Sequence, residues 1–526
     1  NRQTHRFKTK GSYAMSKTDV TQAPENPQYA RLLELISEVR DIQGIGALLF
    51  WDQQVIMPRG GAASRGNHLA LVNKLRHERF TRPEIGRLLE ELRSYEESLP
   101  YDSDEASTIR VTRREYAKAT KLPPELVVRA SRAATEGYSV WLAAREARDY
   151  GVFRPALEKT VAVTREIAET LGYEDHPMDA LLDQHEPGMK VADVETLFAE
   201  LRTALVPLAK AIAAKGDIVD SAFLQQPFER AKQLALGLEA VKAIGYDPEI
   251  RGRMDISVHP YTIDIALDDV RITTRVNENY VGQSFFACLH EAGHGIYGQG
   301  LPGKFGRSIL GDGASAGLHE SQSRLWENVV GRSRAFWQSF FPRLEAHFPA
   351  QLAAATPESI YRAVNRVRPS LIRVEADEVT YNLHIMVRFE LEKAVFDGKL
   401  EVKDLAEAWN AKFKEYLGLA PPDDLTGILQ DIHWSMSFGA NFTSYTIGNV
   451  ASIQLYEEAV KQYPDMTERI ARGDFAALFG WMKDNLHVHA AKFTPQETLE
   501  RVTGKPLTAA PYLGYIKRKF TDIYGL

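Results

Sequence analysis

From Gln28 onward, apolar residues recur at helical rather than strand spacing. Leu32, Leu33, Leu35, Ile36 and Val39 make a stripe with a period of about 3.6 inside 29–49. Ala106–Lys121 is charged and helix-forming, Lys190–Ala214 is amphipathic, and similar periods run through Ile360–Val367, Leu371–Phe396, Val402–Leu417 and Ala451–Tyr463. Pro124 follows Pro123 and suits a first helical turn. No repeat at a solenoid period is present. One segment breaks the pattern. Ile263, Ile265 and Leu267 alternate with polar residues, Asp268–Asp269 intervene, and Val270 and Ile272 resume the period of two. That reads as a hairpin with an Asp-Asp turn, a small antiparallel β element in a mainly α chain.

The chain has 526 residues. At about 150 residues per domain that is three or four domains' worth of length, or one large enzyme body. The single cysteine excludes an internal disulfide framework and a zinc site built on several thiolates. A metal would need His and carboxylate ligands. A net charge of −6, from 64 basic and 70 acidic groups, gives no footprint for nucleic acid. No apolar run reaches the roughly 18 residues of a membrane span. Residues 1–26 read as a disordered tail: Arg2–Lys17 is basic, lacks acids and has no apolar signal core, and Met15 is a candidate native start. With the single cysteine, this leads us to expect a cytoplasmic protein whose catalytic body is one domain, 27–526.

Soon after the hairpin comes His290-Glu291-Ala292-Gly293-His294. On a helix, positions four apart lie about 40° apart, so both imidazoles leave one face and can reach one zinc ion. Glu291 stands beside the first ligand and is free to act as a general base. Ser284 is a candidate N-cap, and Phe285, Leu289, Ala292 and Ile296 form an anchoring apolar stripe. His185-Glu186 starts the same motif but fails it at Met189. A hydrolytic site needs a third protein ligand. Cys288 lies about 200° round the helix from His290 and reads as a buried small hydrophobe. The glycine-rich Gly295–Gly317 can reverse the chain, and His319–Asn328 reads as a helix. Glu320, Glu327 and Asp312 are then all candidates, with a modest edge for Glu320.

Two further groups carry polar chemistry. Arg373, Asp377, Tyr381, His384 and Arg388 fall on one face of a helix. The plain expectation is an exposed face with ion pairs such as Arg373–Asp377. The alternative is the wall of a polar groove, where an arginine grips a carboxylate. In Gly427–Trp434 with Phe438, Phe442 and Tyr445, His433 and Tyr445 are candidate donors to a developing oxyanion.

Several blocks together resemble the carboxypeptidase Taq family of zinc metallocarboxypeptidases. They are Trp51–Gly61 with Arg65, His259-Pro260-Tyr261, Asp269-x-Arg271-x-Thr273, the His290–His294 helix, His319-Glu-Ser-Gln322, Ile372-Arg373-x-x-Ala376-Asp377, and Gly427-x-x-Gln430-Asp431-x-His433-Trp434. The resemblance implies a two-lobed helical saddle with a deep groove, a fold shared with neurolysin-like and angiotensin-converting-enzyme-like peptidases. It implies Zn²⁺, replaceable by Co²⁺, in a homodimer that releases single C-terminal residues from peptides with a free carboxylate. It makes Glu320 the third ligand and puts His259, Arg271 and Arg373 near the substrate's C-terminus. The β element would align the substrate by strand addition. The chain departs from the family's Gly-Tyr-Phe-Pro-Thr-Tyr run, with Asn441 and Thr443 in place of the first Tyr and the Pro. In some related enzymes an acid four residues after the third ligand supports a ligating histidine; here that position is Arg324. A zinc oligopeptidase or dipeptidyl carboxypeptidase, and a non-catalytic helical protein with a relic metal site, are the competing readings.

Overall fold

The computed structural model describes residues 26–526. The tail expected at 1–26 lies outside the described residues except for Asn26. That residue caps helix α1 (Pro27–Val55), its side-chain oxygen accepting from the Gln28 and Tyr29 amides. The stripe read in the sequence is the buried face of α1. Leu32, Leu35 and Ile36 pack with Ile85, Leu88, Leu89 and Ile109 into a small N-terminal core. Helix α2 (Pro124–Ala147) begins on Pro124 as expected. The main core runs from Trp141 to Tyr524. Among the described residues no helix is long and apolar enough to cross a membrane.

The β element is larger and less regular than a hairpin. Strands β1 (Gly252–Ile256), β2 (Thr262–Ala266) and β3 (Asp269–Thr274) form one sheet in the order β1-β3-β2. β2 and β3 pair antiparallel, but β1 joins β3 in parallel, so the sheet is mixed. The turn is Leu267–Asp268, and Asp269 already belongs to β3. β1 carries no strand period in the sequence, because Arg253 and Asp255 leave it too few apolar residues.

Helix α3 (Val281–Gly300) carries the His-Glu-x-x-His motif. Ser284 is not its cap. The helix starts at Val281, and the buried Ser284 hydroxyl donates to Gln233 Oε1 at 2.6 Å. Phe285 anchors this end, its ring 5.5 Å from Trp337 and 5.4 Å from Phe340. Helix α4 (Ala316–Arg324) starts earlier than the sequence suggested, with Ser315 accepting from the Leu318 amide at 3.0 Å. Its continuation, Leu325–Val330, is a π-helical turn. The α-helical pattern read across 319–328 therefore changes pitch halfway.

The helix expected over 371–396 is broken. Arg373–Glu375 is a single 3₁₀ turn, and helix α5 spans only Tyr381–Phe396. Asp377 sits between them and accepts from the Val379 and Thr380 amides, both at 3.0 Å. Such local bonds compete with helix and set its start. Arg373 and Asp377 therefore do not share a helical face with the rest of the stripe. Nor is the stripe exposed, since His384 and Arg388 are both fully buried. Helices α6 (His433–Met436) and α7 (Thr443–Gln462) follow. Glu186 ties α4 to α7: it accepts from the Gly317 amide and from Ser444 Oγ at 2.6 Å.

Candidate active site

Helix α3 presents His290 and His294 one turn apart, and α4 brings Glu320 up to them. One donor atom from each of the three lies within 4.8 Å of the others. His294 Nε2 is 3.3 Å and His290 Nε2 3.8 Å from Glu320 Oε2. Among the described residues no other cluster of His, Cys or acidic groups is so placed. Glu320 is buried, yet Arg324 donates to its Oε1 at 2.6 Å. Burial opposes its charge, but Arg324, His290 and His294 outweigh it and hold the carboxyl well below the usual range. Two imidazole nitrogens and one ionised carboxylate form a donor set that suits a divalent metal such as zinc.

Both histidines are held from behind through Nδ1, which leaves Nε2 for a metal. His290 Nδ1 lies 2.9 Å from Glu327 Oε2. Glu327, a candidate third ligand by spacing, instead occupies this supporting place. Arg332 also reaches it at 3.2 Å. Burial opposes its ionisation too, but His290 and Arg324 bring its pKa down to about 2. The acid missing at position 324 is thus supplied from 327, on the π-turn. His294 Nδ1 meets His319 Nδ1 at 2.6 Å. Burial, then the neighbouring His294, push the His319 pKa down, and a neutral His319 suits the place of acceptor for a His294 Nδ1–H. Asp312, the remaining candidate ligand, accepts from the adjacent Gly313 amide. Outer partners of this kind orient the ligands and raise their basicity. Glu327→Ala is therefore expected to weaken metal binding by about 10–100-fold, read by competition with a chromogenic chelator. Unchanged affinity would remove Glu327 from the site.

Glu291 is buried beside the histidines. Thr262, at the start of β2, donates to its Oε2 at 2.7 Å. Burial raises the Glu291 pKa, with His290 and the Thr262 bond partly opposing. Spacing along the sequence gave no sign of Thr262. Its position at the start of β2, the first strand of the hairpin that precedes the motif, was the available hint.

In a second cluster, His433 Nε2 lies 3.2 Å from Tyr445 Oη. The Arg373 guanidinium sits over the Tyr445 ring at 5.1 Å and donates to Tyr381 Oη at 3.0 Å. It also donates to Asp431 Oδ1 from Nε at 3.0 Å and Nη2 at 2.8 Å. Arg388 takes the other oxygen, Oδ2, at 2.7 Å. Burial pushes His433 down to about 4 and keeps it neutral, with Asp431 opposing and Arg373 assisting. Arg324 over the Tyr381 ring at 4.5 Å links this cluster to Glu320. Arg271 and His259 lie on the sheet side. Arg271 donates twice to Asp269, each at 2.7 Å, and its guanidinium covers Trp51 at 4.3 Å. His259 is exposed, and its Nδ1 lies 2.8 Å from the Pro260 carbonyl oxygen.

A family model described as carboxypeptidase Taq (M32) metallopeptidase matches residues 31–520. Thermostable carboxypeptidase 1 of Thermus thermophilus is 41% identical over 506 residues, covering 94% of this chain and 99% of its own length. Carboxypeptidase 1 of Bacillus subtilis is 33% identical over 497 residues, covering 94% and 98%. The crystal structure of M32 carboxypeptidase from Deinococcus radiodurans R1 matches with a TM-score of 0.93 at 44% identity, over 95% of this chain and 100% of that one. Pyrococcus furiosus carboxypeptidase, in a form described as Apo-Mg, matches at 0.92 with 33% identity, over 95% and 100%. With its mainly α fold and its His-Glu-x-x-His helix, the chain belongs to the carboxypeptidase Taq (M32) family of metallopeptidases and is a metallocarboxypeptidase.

Proposed function

We propose that this metallocarboxypeptidase is a zinc enzyme that removes one C-terminal residue at a time, with His290, His294 and Glu320 holding the ion. The observation that carries the exopeptidase reading is a charge count. Arg373 and Arg388 share one carboxylate, Asp431, so this buried trio keeps an excess positive charge. An uncompensated buried charge is costly, and a substrate α-carboxylate on Arg373 would neutralise it. His259 and Arg271 would complete the rim around the substrate's end.

When bound, the metal supplies Lewis-acid polarisation of the scissile carbonyl and lowers the pKa of water. Glu291 takes the proton of the attacking water on its carboxylate and hands it to the leaving amine nitrogen. Thr262 holds that carboxylate in place. The neutral His433 donates from Nε2 to Tyr445 Oη, which turns the phenol hydrogen toward the developing oxyanion. The Thr262 end of β2 adjoins Glu291 and offers the peptide backbone an edge, while α1 packs against the same strand. Zinc is preferred to magnesium because magnesium favours oxygen ligands. Residues 27–526 are read as one catalytic unit. The buried single thiol suits a cytoplasmic enzyme, and the family resemblance suggests a homodimer.

Mass spectrometry of a peptide digest tests this. Expected is a ladder of single-residue losses, abolished by a chelator and restored by Zn²⁺ or Co²⁺. A C-terminally amidated peptide should react at least about tenfold more slowly, because it lacks the charged hydrogen bond to Arg373. Two-residue steps or internal cuts would instead assign a dipeptidyl carboxypeptidase or an oligopeptidase.

A further inference from the structure

The stripe that begins Tyr381, His384, Arg388 continues four residues further to Glu392, which the hydrolysis does not use. Glu392 is fully buried on α5. Its two oxygens have separate tasks. Oε1 accepts from Trp434 Nε1 at 2.7 Å, and Oε2 from the Ala440 amide at 2.9 Å. Trp434 is the neighbour of His433, and Ala440 precedes the segment leading to Tyr445. One carboxylate therefore bridges the two ends of the loop 434–440.

That loop has cause to open. Ala440 has φ +62°, a left-handed conformation that alanine adopts only under strain. Strain of this kind persists only where surrounding bonds over-determine it. Three bonds do so here. The Ala440 amide is held by Glu392, and its carbonyl accepts from Thr443 Oγ1 at 2.9 Å. Ser437 and Asn441 brace the loop's tip, Asn441 Nδ2 donating to the Ser437 carbonyl at 2.9 Å. With the loop closed, the His433 ring sits 4.3 Å from that of Phe442 and reaches Tyr445. Burial drives the Glu392 pKa up to about 7, with Trp434 and Ala440 opposing. Two donors aimed at opposite oxygens suit a carboxylate and not an amide, which has one accepting oxygen.

We propose that Glu392 is a positioning residue for peptide hydrolysis, a latch that holds the 434–440 loop shut and so sets the His433–Tyr445 pair. The inference rests on the role given to that pair above, and the test separates the two. Glu392→Gln is made in the full-length enzyme supplied with Zn²⁺. Backbone hydrogen exchange over 434–442 should quicken at least about tenfold as the latch opens, while 281–300 stays as in the parent. kcat should fall by up to about 10²-fold, as a misplaced group costs, with KM and metal affinity within about twofold. In a Tyr445→Phe background the same change should cost little more, since both act through one contact. Trp434→Phe, which removes one donor and keeps an aromatic ring, should give a weaker form of the same pattern if Glu392→Gln does not fold. Unchanged exchange over 434–442, or a kcat loss that adds in full to that of Tyr445→Phe, overturns the latch. If Tyr445→Phe alone keeps full kcat, the role of Tyr445 falls, and the exchange result decides on Glu392 by itself.

Discussion

Glu291→Gln is expected to lower kcat by about 10²–10⁴-fold, the usual contribution of a general acid–base group. The change is isosteric. The introduced amide keeps an oxygen for the Thr262 hydroxyl, which lies 2.7 Å from the carboxylate of the parent, so the side chain has no reason to leave its place. It loses only the ability to take and return a proton. Metal content and KM should therefore stay near those of the parent, because His290, His294, Glu320 and Arg373 are untouched. Steady-state kinetics with metal analysis on the same sample reads both. Normal turnover in this variant would mean that another group moves the proton, and the mechanism would be wrong. A drop in metal content alongside kcat would instead place Glu291 among the ligands.

Gly448→Ala should act on the metal without touching a ligand. Helix α7 passes α4 so closely that a Cβ at position 448 would lie 2.6 Å from both Cβ and Cγ of Glu320. On the other side of α4, a Cβ at Gly293 would meet the Gln322 carbonyl oxygen at 2.5 Å. α4 is therefore held between two glycines, one on α3 and one on α7, and this spacing fixes how far Glu320 stands from the two imidazoles. An added methyl must push the helices apart or turn the carboxylate away. The cost in stability should be about 1–3 kcal/mol, as for other overpacked cores. Metal affinity should fall by about 10²-fold, at the upper end for changes that disturb ligand orientation. Gly480→Ala is the control, since nothing lies within 4 Å of its added Cβ. Equal metal affinity in the two variants would show that the close approach does not set the site.

What the sequence revealed follows from the range of the signals it carries. His290, Glu291 and His294 were legible because a helix fixes their relation within five residues, with no need of tertiary contacts. Glu320 was not, because the chain between His294 and α4 has no regular period from which its return can be derived. Spacing gave it only a modest edge over Glu327 and Asp312, and the family resemblance favoured it. The support of His290 by Glu327 depends on a π-turn that no spacing rule foresees. Ser284 shows a different limit: the hydroxyl that would cap a helix serves equally well bonded to Gln233 in the core. The stripe from Arg373 to Arg388 had the right residues and the wrong setting. Its polar period suggested solvent, whereas Asp431, more than forty residues on, lets Arg388 sit fully buried. Thr262 and Glu392 work through partners about thirty and forty residues away, beyond any local pattern.

The lone cysteine has a practical consequence. Cys288 is sealed in the core beside Met254 and Gly237, and burial pushes its thiol up to about 11. Thiol reagents act on the thiolate, so the native chain is silent to them at neutral pH. A cysteine placed at an exposed position such as Met436, beside the His433 turn, would then take a dye alone. With a second on the exposed face of α1, at Leu48, such a pair would report distances across the enzyme during turnover, with no background to subtract.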